Sequence, residues 1–269
     1  MWGAIAGDII GQPWEGNASP SDAWGSRPPL VLRGSHFTDD TVLTVAVAKI
    51  LLDGDRPEDA LKAAWRAHPR AGYGFLFRKW CAGELDRAYR SYGNGGAMRV
   101  SPTAWAFDDI NEVLDAAERV TIPTHAHVRG LAGAWAIAGA TYIARVGGTK
   151  REIAEFCEHL GYDLIVDLDA MHRRETFATA DATVPAALRA FLDTDSFESA
   201  VLEAVQYGGD TDTVAAMAGS IGEAFYRGVP NEILEQVIPR LAPDLLEVAV
   251  RFTETQMRPR GFYLDGLPR

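Results

Sequence analysis

Two acid-and-hydroxyl clusters stand at opposite ends of the chain: Phe37-Thr38-Asp39-Asp40-Thr41, and Gly208-Gly209-Asp210-Thr211-Asp212-Thr213. Each opens an apolar run rich in Ala and Val. Carboxylates and hydroxyls are hard oxygen ligands of the kind that magnesium- or manganese-type cations take. Two such groups, each pinned to a helix start, could hold a pair of these cations between two ends of one domain. The plainer reading of Asp39 and Asp40 is capping, because a helix dipole favours acids in its first turn and Thr38 is a good N-cap. The second cluster shifts the balance, since it carries more acid than a cap requires. Residues two apart in an α-helix point about 200° away from each other. Asp210 and Asp212 therefore converge only where the chain is still unwinding from the Gly208-Gly209 turn. Burying that many carboxylates uncompensated is costly, and a bound cation is the natural compensation.

Glu15 is a further candidate acid, placed where the short apolar helix containing Gly7-Asp8-Ile9-Ile10-Gly11 meets a turn at Gln12-Pro13-Trp14. Its plainer reading is a surface carboxylate, and Asp8 is equally open. The segment Ser91-Tyr92-Gly93-Asn94-Gly95-Gly96-Ala97-Met98-Arg99 matches neither a P-loop nor a dinucleotide fingerprint. Consecutive glycines nonetheless let a chain form an anion-binding concavity of backbone N–H groups, suited to a diphosphate. In Thr124-His125-Ala126-His127 the spacing of two splits the rings around a helix, so hydrogen bonding or a core role fits better than a shared metal.

The elements that must position these residues read as helices. Apolar periodicity marks runs at Val42 to Leu52, Pro57 to Ala67, Ile110 to Val120, Ala126 to Ala144, Lys150 to Leu160, Pro185 to Leu192, Ser196 to Val205, Asp210 to Tyr226 and Asn231 to Arg251. Strand signals are scarce. Gly and Ala in Leu131 to Ala140 and Ala215 to Ala224 point to helices packed closely at a crowded centre. The expected fold is all-α, compact, of roughly ten or more helices, with no fixed repeat period of about 20 to 50 residues.

At 269 residues, with 47% hydrophobic and 23% charged, the chain is long enough to bury a real core, and no linker-like stretch divides it. One domain over residues 1–269 is expected. The net charge of −11 argues against non-specific binding to nucleic acid or anionic membrane. Cys81 and Cys157 stand outside any paired or His-rich context, which suits free thiols in a reducing compartment and implies no structural zinc. The start Met1 to Asp8 lacks the basic region and cleavage site of a signal peptide. The longest apolar stretch, Leu131 to Ala144, falls short of the roughly 20 residues that span a bilayer. A cytoplasmic monomer is expected.

Taken together, Gly-Asp-Ile-Ile-Gly with Glu15 after it, Phe-Thr-Asp-Asp-Thr, Ser-Tyr-Gly-Asn-Gly-Gly-Ala-Met-Arg, Thr-His-Ala and Gly-Gly-Asp-Thr-Asp-Thr resemble, in the same order and almost end to end, the ADP-ribosylglycohydrolase family. That family includes the dinitrogenase reductase-activating glycohydrolase and the ADP-ribosylarginine and ADP-ribosylserine hydrolases. The resemblance implies an all-α fold around a dinuclear centre. Thr38, Asp39, Asp40, Asp210, Asp212 and Thr213 match the ligands of two Mg2+ or Mn2+ ions. Glu15 matches an acid beside the metals, on a segment that moves as a lid in some relatives. Ser91, Gly93, Asn94, Gly95 and Met98 match the loop around the diphosphate and proximal ribose, with Tyr92 near the adenine and His125 a ligand-contacting histidine.

The implied chemistry is hydrolysis of the bond joining ADP-ribose to an acceptor on a protein or small molecule, through an oxocarbenium-like state. Glu15, Asp39 and Asp212 are the expected catalytic residues, with two cations orienting ribose hydroxyls and acidifying a water. Arginine is the first-choice acceptor, ahead of serine, an acetyl ester or a nucleobase. Glu15, Trp14, Asp22 and Trp24, on the stretch from Trp14 to Pro29, are the carboxylates and aromatics an arginine adduct would want. The alternatives are a non-catalytic ADP-ribose-binding or structural relative, against which the complete acidic set speaks, and a phosphohydrolase of nucleotide diphosphates.

Overall fold

A Gly every fourth residue places Gly3, Gly7 and Gly11 on one face of the first helix, α1 (Trp2–Gly11). Against that face lies the helix that follows the second acidic cluster, α12 (Thr211–Phe225), in the most extensive helix pairing among the described residues. The approach leaves no room for side chains. A Cβ on Gly7 would overlap Ala215 O and stand 2.6 Å from Ala216 N, and one on Gly11 would stand 2.7 Å from Asp212 Cα. Every residue of α1 is buried, and the Met1 amine and Trp2 N–H both donate to the buried Glu223 of α12, Trp2 at 3.1 Å.

This computed structural model describes residues 1–16, 29–85, 89–173 and 175–262. Among them the fold is all-α, with two isolated β-bridges, Arg90 to His125 and Gly93 to Thr179, and no strand. After α1 come α2 (Asp39–Asp53), α3 (Pro57–Ala67), α4 (Phe75–Cys81), α5 (Thr103–Ala106), α6 (Ile110–His125), α7 (Val128–Arg145), α8 (Lys150–His159) and α9 (Leu168–His172). Then follow α10 (Ala180–Leu192), α11 (Phe197–Gln206), α12, α13 (Asn231–Val237) and α14 (Pro243–Phe252). The pair α1 and α12 sits at the centre, α12 flanked by α7, α10 and α11, and α2 packed on α1, α3 and α14. One hydrophobic cluster runs through all of these contacts.

Local chemistry explains most boundaries. Thr38 caps α2, accepting from Asp40 N–H at 3.2 Å, and Gly54 ends it in the left-handed conformation. Asp109 caps α6, and Thr149 with Glu152 forms a capping box on α8. Two expectations from periodicity need correcting. The run from Asn231 to Arg251 is two helices, because Pro239 and Pro243 each remove a backbone donor and force a short 3-10 turn between them. The helix expected from Pro185 starts earlier, at Ala180, with Pro185 inside it and Thr179 as its cap. Among the described residues no helix is long and apolar enough to cross a membrane.

Candidate functional site

The two acidic clusters meet because α1 carries Asp8 to the start of α2. Asp8 is fully buried in an apolar helix, and its carboxylate accepts four hydrogen bonds. Thr38 N–H and Thr41 N–H donate to Oδ2 at 2.9 and 3.1 Å, Thr41 Oγ1 donates to Oδ2 at 2.5 Å, and Thr38 Oγ1 donates to Oδ1 at 2.8 Å. Asp8 thus satisfies first-turn N–H groups that a helix cannot satisfy internally and anchors α2 beside α1. The sequence left Asp8 open; an acid in the middle of an apolar run was the signal.

From the other side, Gly208 and Gly209, with φ of 72° and 74°, turn the chain into α12. Thr213 Oγ1 reaches Asp40 Oδ2 at 3.2 Å, and Asn94 Nδ2 donates to Asp210 Oδ2 at 2.6 Å. Asp40 Oδ1 is buried with no hydrogen-bond partner among the described residues. Glu15 follows the 3-10 turn Gln12–Trp14, and the next residue, Gly16, donates its N–H to Gly209 O at 2.8 Å. One ligand oxygen each from Glu15, Asp210 and Asp212 lies within 4.8 Å of the others. Glu15 therefore stands among the groups that could hold a cation, a placement beyond the proton-handling role expected for it.

Burial raises every one of these acids, and the charges of acidic neighbours raise Glu15, Asp39, Asp40 and Asp212 further. Asp39 is pushed up to about 8, by desolvation first and then by the charges of Asp8 and Asp210. Asp40 and Asp212 lie well above the ordinary range, again through desolvation and then their acidic neighbours. Oxygen-only donors, excess negative charge and the orphaned Asp40 Oδ1 are the chemistry of a site for hard divalent cations. The residues fit the implied metals on that ground.

The acids floor a cleft of about 340 Å³. Its lining brings together Glu15, Asp39, Asp40, Asp210, Asp212 and Thr213 with Ser91, Gly93, Asn94, Gly95, Met98 and His125. Thr38 does not border it, being turned to Asp8, and Tyr92 stands at the exposed surface with its ring edge-on to His127, 5.7 Å between centroids. The Gly-rich segment is held by Ser91 N–H to Thr124 O, Asn94 N–H to Ala178 O and Ala180 N–H to Tyr92 O. Met98 N–H to Asn94 O closes one turn, at whose start the amides of Gly95, Gly96 and Ala97 make no hydrogen bond among the described residues.

The two histidines part, not within one helix as expected but because His125 ends α6 and His127 precedes α7. His127 caps α7, its Nδ1 accepting from Arg129 N–H at 3.2 Å, while His125 lies at the cleft wall. A Cβ on Gly95 would stand 3.0 Å from His125 Nε2, so any larger residue there would press on the histidine ring. The cleft also has a wall that the sequence did not single out, Gly72, Gly74, Phe75 and Leu76. Gly72 has φ of 103°, and a Cβ there would come 3.2 Å from Asp39 Oδ1. Asp22 and Trp24, expected near the acceptor, lie outside the described residues.

Comparison with known proteins gives the chain's family. The chain is 26% identical to ADP-ribosylhydrolase ARH3 of Mus musculus, across 83% of this chain and 82% of that protein. It is 28% identical to an uncharacterized protein of Archaeoglobus fulgidus across 95% of both. A solved structure described as an ADP-ribosylglycohydrolase-related protein complex superposes with a TM-score of 0.72 at 25% identity, covering 94% of this chain and 95% of that one. The ADP-ribosylglycohydrolase family model matches residues 1–260, and the chain belongs to that family.

Proposed function

We propose that this hydrolase is divalent-cation dependent and cleaves the glycosidic bond between ADP-ribose and an acceptor side chain, releasing ADP-ribose. The observation that carries the reading is the convergence of Glu15, Asp210 and Asp212 beside Asp40, whose Oδ1 has no partner among the described residues, in a cleft walled by the Gly-rich segment. Asp39, Asp40, Asp210, Asp212 and Thr213, with Thr38 behind them, would hold two Mg2+ or Mn2+ ions. When bound, these ions supply Lewis-acid polarisation of a water and of ribose hydroxyls. The amides of Gly95, Gly96 and Ala97, unpaired among the described residues, and the His125 ring would bind the diphosphate, with Tyr92 against the adenine. Glu15, at the cleft mouth and raised by desolvation and by Asp210 and Asp8, is the group best placed to hold or move the proton of the attacking water.

For the acceptor, an arginine adduct is the first reading, with Glu15 and Trp14 as its partners. A hydroxyl-linked acceptor such as serine is the second, favoured by one observation. The described wall beside Asp39 is Gly72, Gly74, Phe75 and Leu76, which offers apolar surface and no carboxylate for a guanidinium. Arginine-, serine- and acetyl-linked ADP-ribose, assayed side by side with and without magnesium, separate these readings. Release of AMP from free ADP-ribose would point to a phosphohydrolase instead.

A further inference from the structure

Behind His125 lies a short polar chain that the cleft chemistry does not explain by itself. Arg99 is fully buried and donates through Nη2 to Val120 O at 2.9 Å and to Thr124 Oγ1 at 2.8 Å. Thr124 Oγ1 in turn lies 2.7 Å from His125 Nδ1. Thr124 is fully buried and His125 is 7% exposed. The remaining ring nitrogen, Nε2, has no hydrogen-bond partner among the described residues and faces Gly93 and Gly95. A Cβ would meet it at 3.6 Å from Gly93 and at 3.0 Å from Gly95.

The direction of the protons along this chain follows from what each group can do. A guanidinium has donors only, so Thr124 Oγ1 must accept from Arg99. The hydroxyl keeps one hydrogen to give, and the acceptor in range is His125 Nδ1. An imidazole that accepts at Nδ1 carries its hydrogen on Nε2. Double protonation is disfavoured, because burial and the nearby Arg99 charge hold His125 well below its ordinary range.

We propose that Arg99 and Thr124 are positioning residues that lock His125 as the neutral Nε2–H tautomer, so that it presents a hydrogen-bond donor to an acceptor-only anionic oxygen between Gly93 and Gly95. The opposite tautomer would aim a lone pair at that oxygen. Arg99 thereby acts at one remove: its fixed orientation is passed through one hydroxyl and emerges as a neutral donor on the cleft wall. The ligand part of this proposal rests on the ADP-ribose reading above, whereas the tautomer part does not.

The test compares the parent protein with Thr124→Val, which keeps shape and removes the hydroxyl, and Thr124→Ser, which restores it. Long-range proton–nitrogen correlation spectra of the ligand-free proteins report the His125 tautomer, and titration calorimetry with ADP-ribose reports affinity. The parent and Thr124→Ser should show Nε2–H only. Thr124→Val should show a mixed or Nδ1–H state and bind ADP-ribose roughly three- to tenfold more weakly, the scale of one ordinary hydrogen bond. KM on a cleaved conjugate should rise with Kd while kcat stays within about twofold, because the contact is remote from the bond broken. A parent spectrum showing Nδ1–H, or Thr124→Val with an unchanged tautomer and unchanged Kd, overturns the proposal. Failure of the parent to bind ADP-ribose at all would overturn the ADP-ribose reading and the ligand half of the proposal, while the spectra still decide the tautomer.

Discussion

Gly7→Ala is the substitution that separates the close approach of α1 and α12 from ordinary helix chemistry. In an isolated helix interior, Gly to Ala stabilises by about 1 kcal/mol, because Ala has the higher helix propensity. Here the new Cβ would overlap Ala215 O and sit 2.6 Å from Ala216 N, where an ordinary contact begins at 3.4 Å. Helix α1 must retreat by roughly 1 Å, at an overpacking cost of about 2–4 kcal/mol that outweighs the propensity gain. For a chain of this size the net loss of about 1–3 kcal/mol lowers Tm by roughly 2–6 °C. The adjacent Asp8 moves with the helix, so its bonds to Thr38 and Thr41 lengthen and the start of α2 loosens around the candidate cation site. Calorimetric melts of Gly7→Ala and of Gly34→Ala, a glycine with nothing within 4 Å of its Cβ position, are the assay, each with and without magnesium. A higher or unchanged Tm for Gly7→Ala would refute the argument that close packing of these two helices places the site.

Asp39→Asn and Asp212→Asn should each abolish most activity while circular dichroism shows the helices retained, since they delete charge and keep volume; a variant with half the parent rate would remove that residue from the chemistry. Because Glu15 shares ligand distance with Asp210 and Asp212, Glu15→Gln should lower kcat and also weaken magnesium binding measured by calorimetry. An unchanged rate would make Glu15 a bystander. The acids give a signed pH effect. In the metal-free protein Asp39 is raised to about 8 and Asp40, Asp210 and Asp212 are raised with it, so the folded state binds protons more tightly than the unfolded chain. That contribution to stability is fully present below the unfolded carboxylate range, near about 4, and is lost as pH rises through about 8. The Tm of the metal-free protein should therefore fall between about pH 5 and about pH 9, and saturating magnesium should restore more of it at the upper end, on the order of 2.7 kcal/mol per site at a hundredfold excess over Kd. A metal-free Tm that rises over this interval would contradict the assignment.

Much of the candidate site was legible because its residues advertise chemistry that local structure does not require. A cap needs one acid, and Asp210-Thr211-Asp212-Thr213 after two positive-φ glycines offers more. The helical class followed from periodicity, and Pro57 to Ala67 matches α3 at both ends. What escaped was relational. Gly3, Gly7 and Gly11 are small residues until α12 is placed against them, and Asp8 is one acid among many until the four donors of Thr38 and Thr41 surround it. The Gly72 to Leu76 wall forms from a turn whose meaning depends on Asp39 beside it. Arg99 reads as one more charged residue, and its position behind His125 is set by the packing of α6 on the Gly-rich segment. The break at Pro239 and Pro243 was readable, and amphipathic periodicity across it concealed it.

The most direct measurement of the central claim is release of free ADP-ribose from an ADP-ribosylated peptide by the purified chain, first stripped with chelator and then titrated with magnesium, with Asp212→Asn alongside. Release should be absent after stripping, should recover and saturate with magnesium, and should not recover in Asp212→Asn. Undiminished release by the stripped protein, or no release from any arginine-, serine- or acetyl-linked conjugate at saturating magnesium, would contradict that claim.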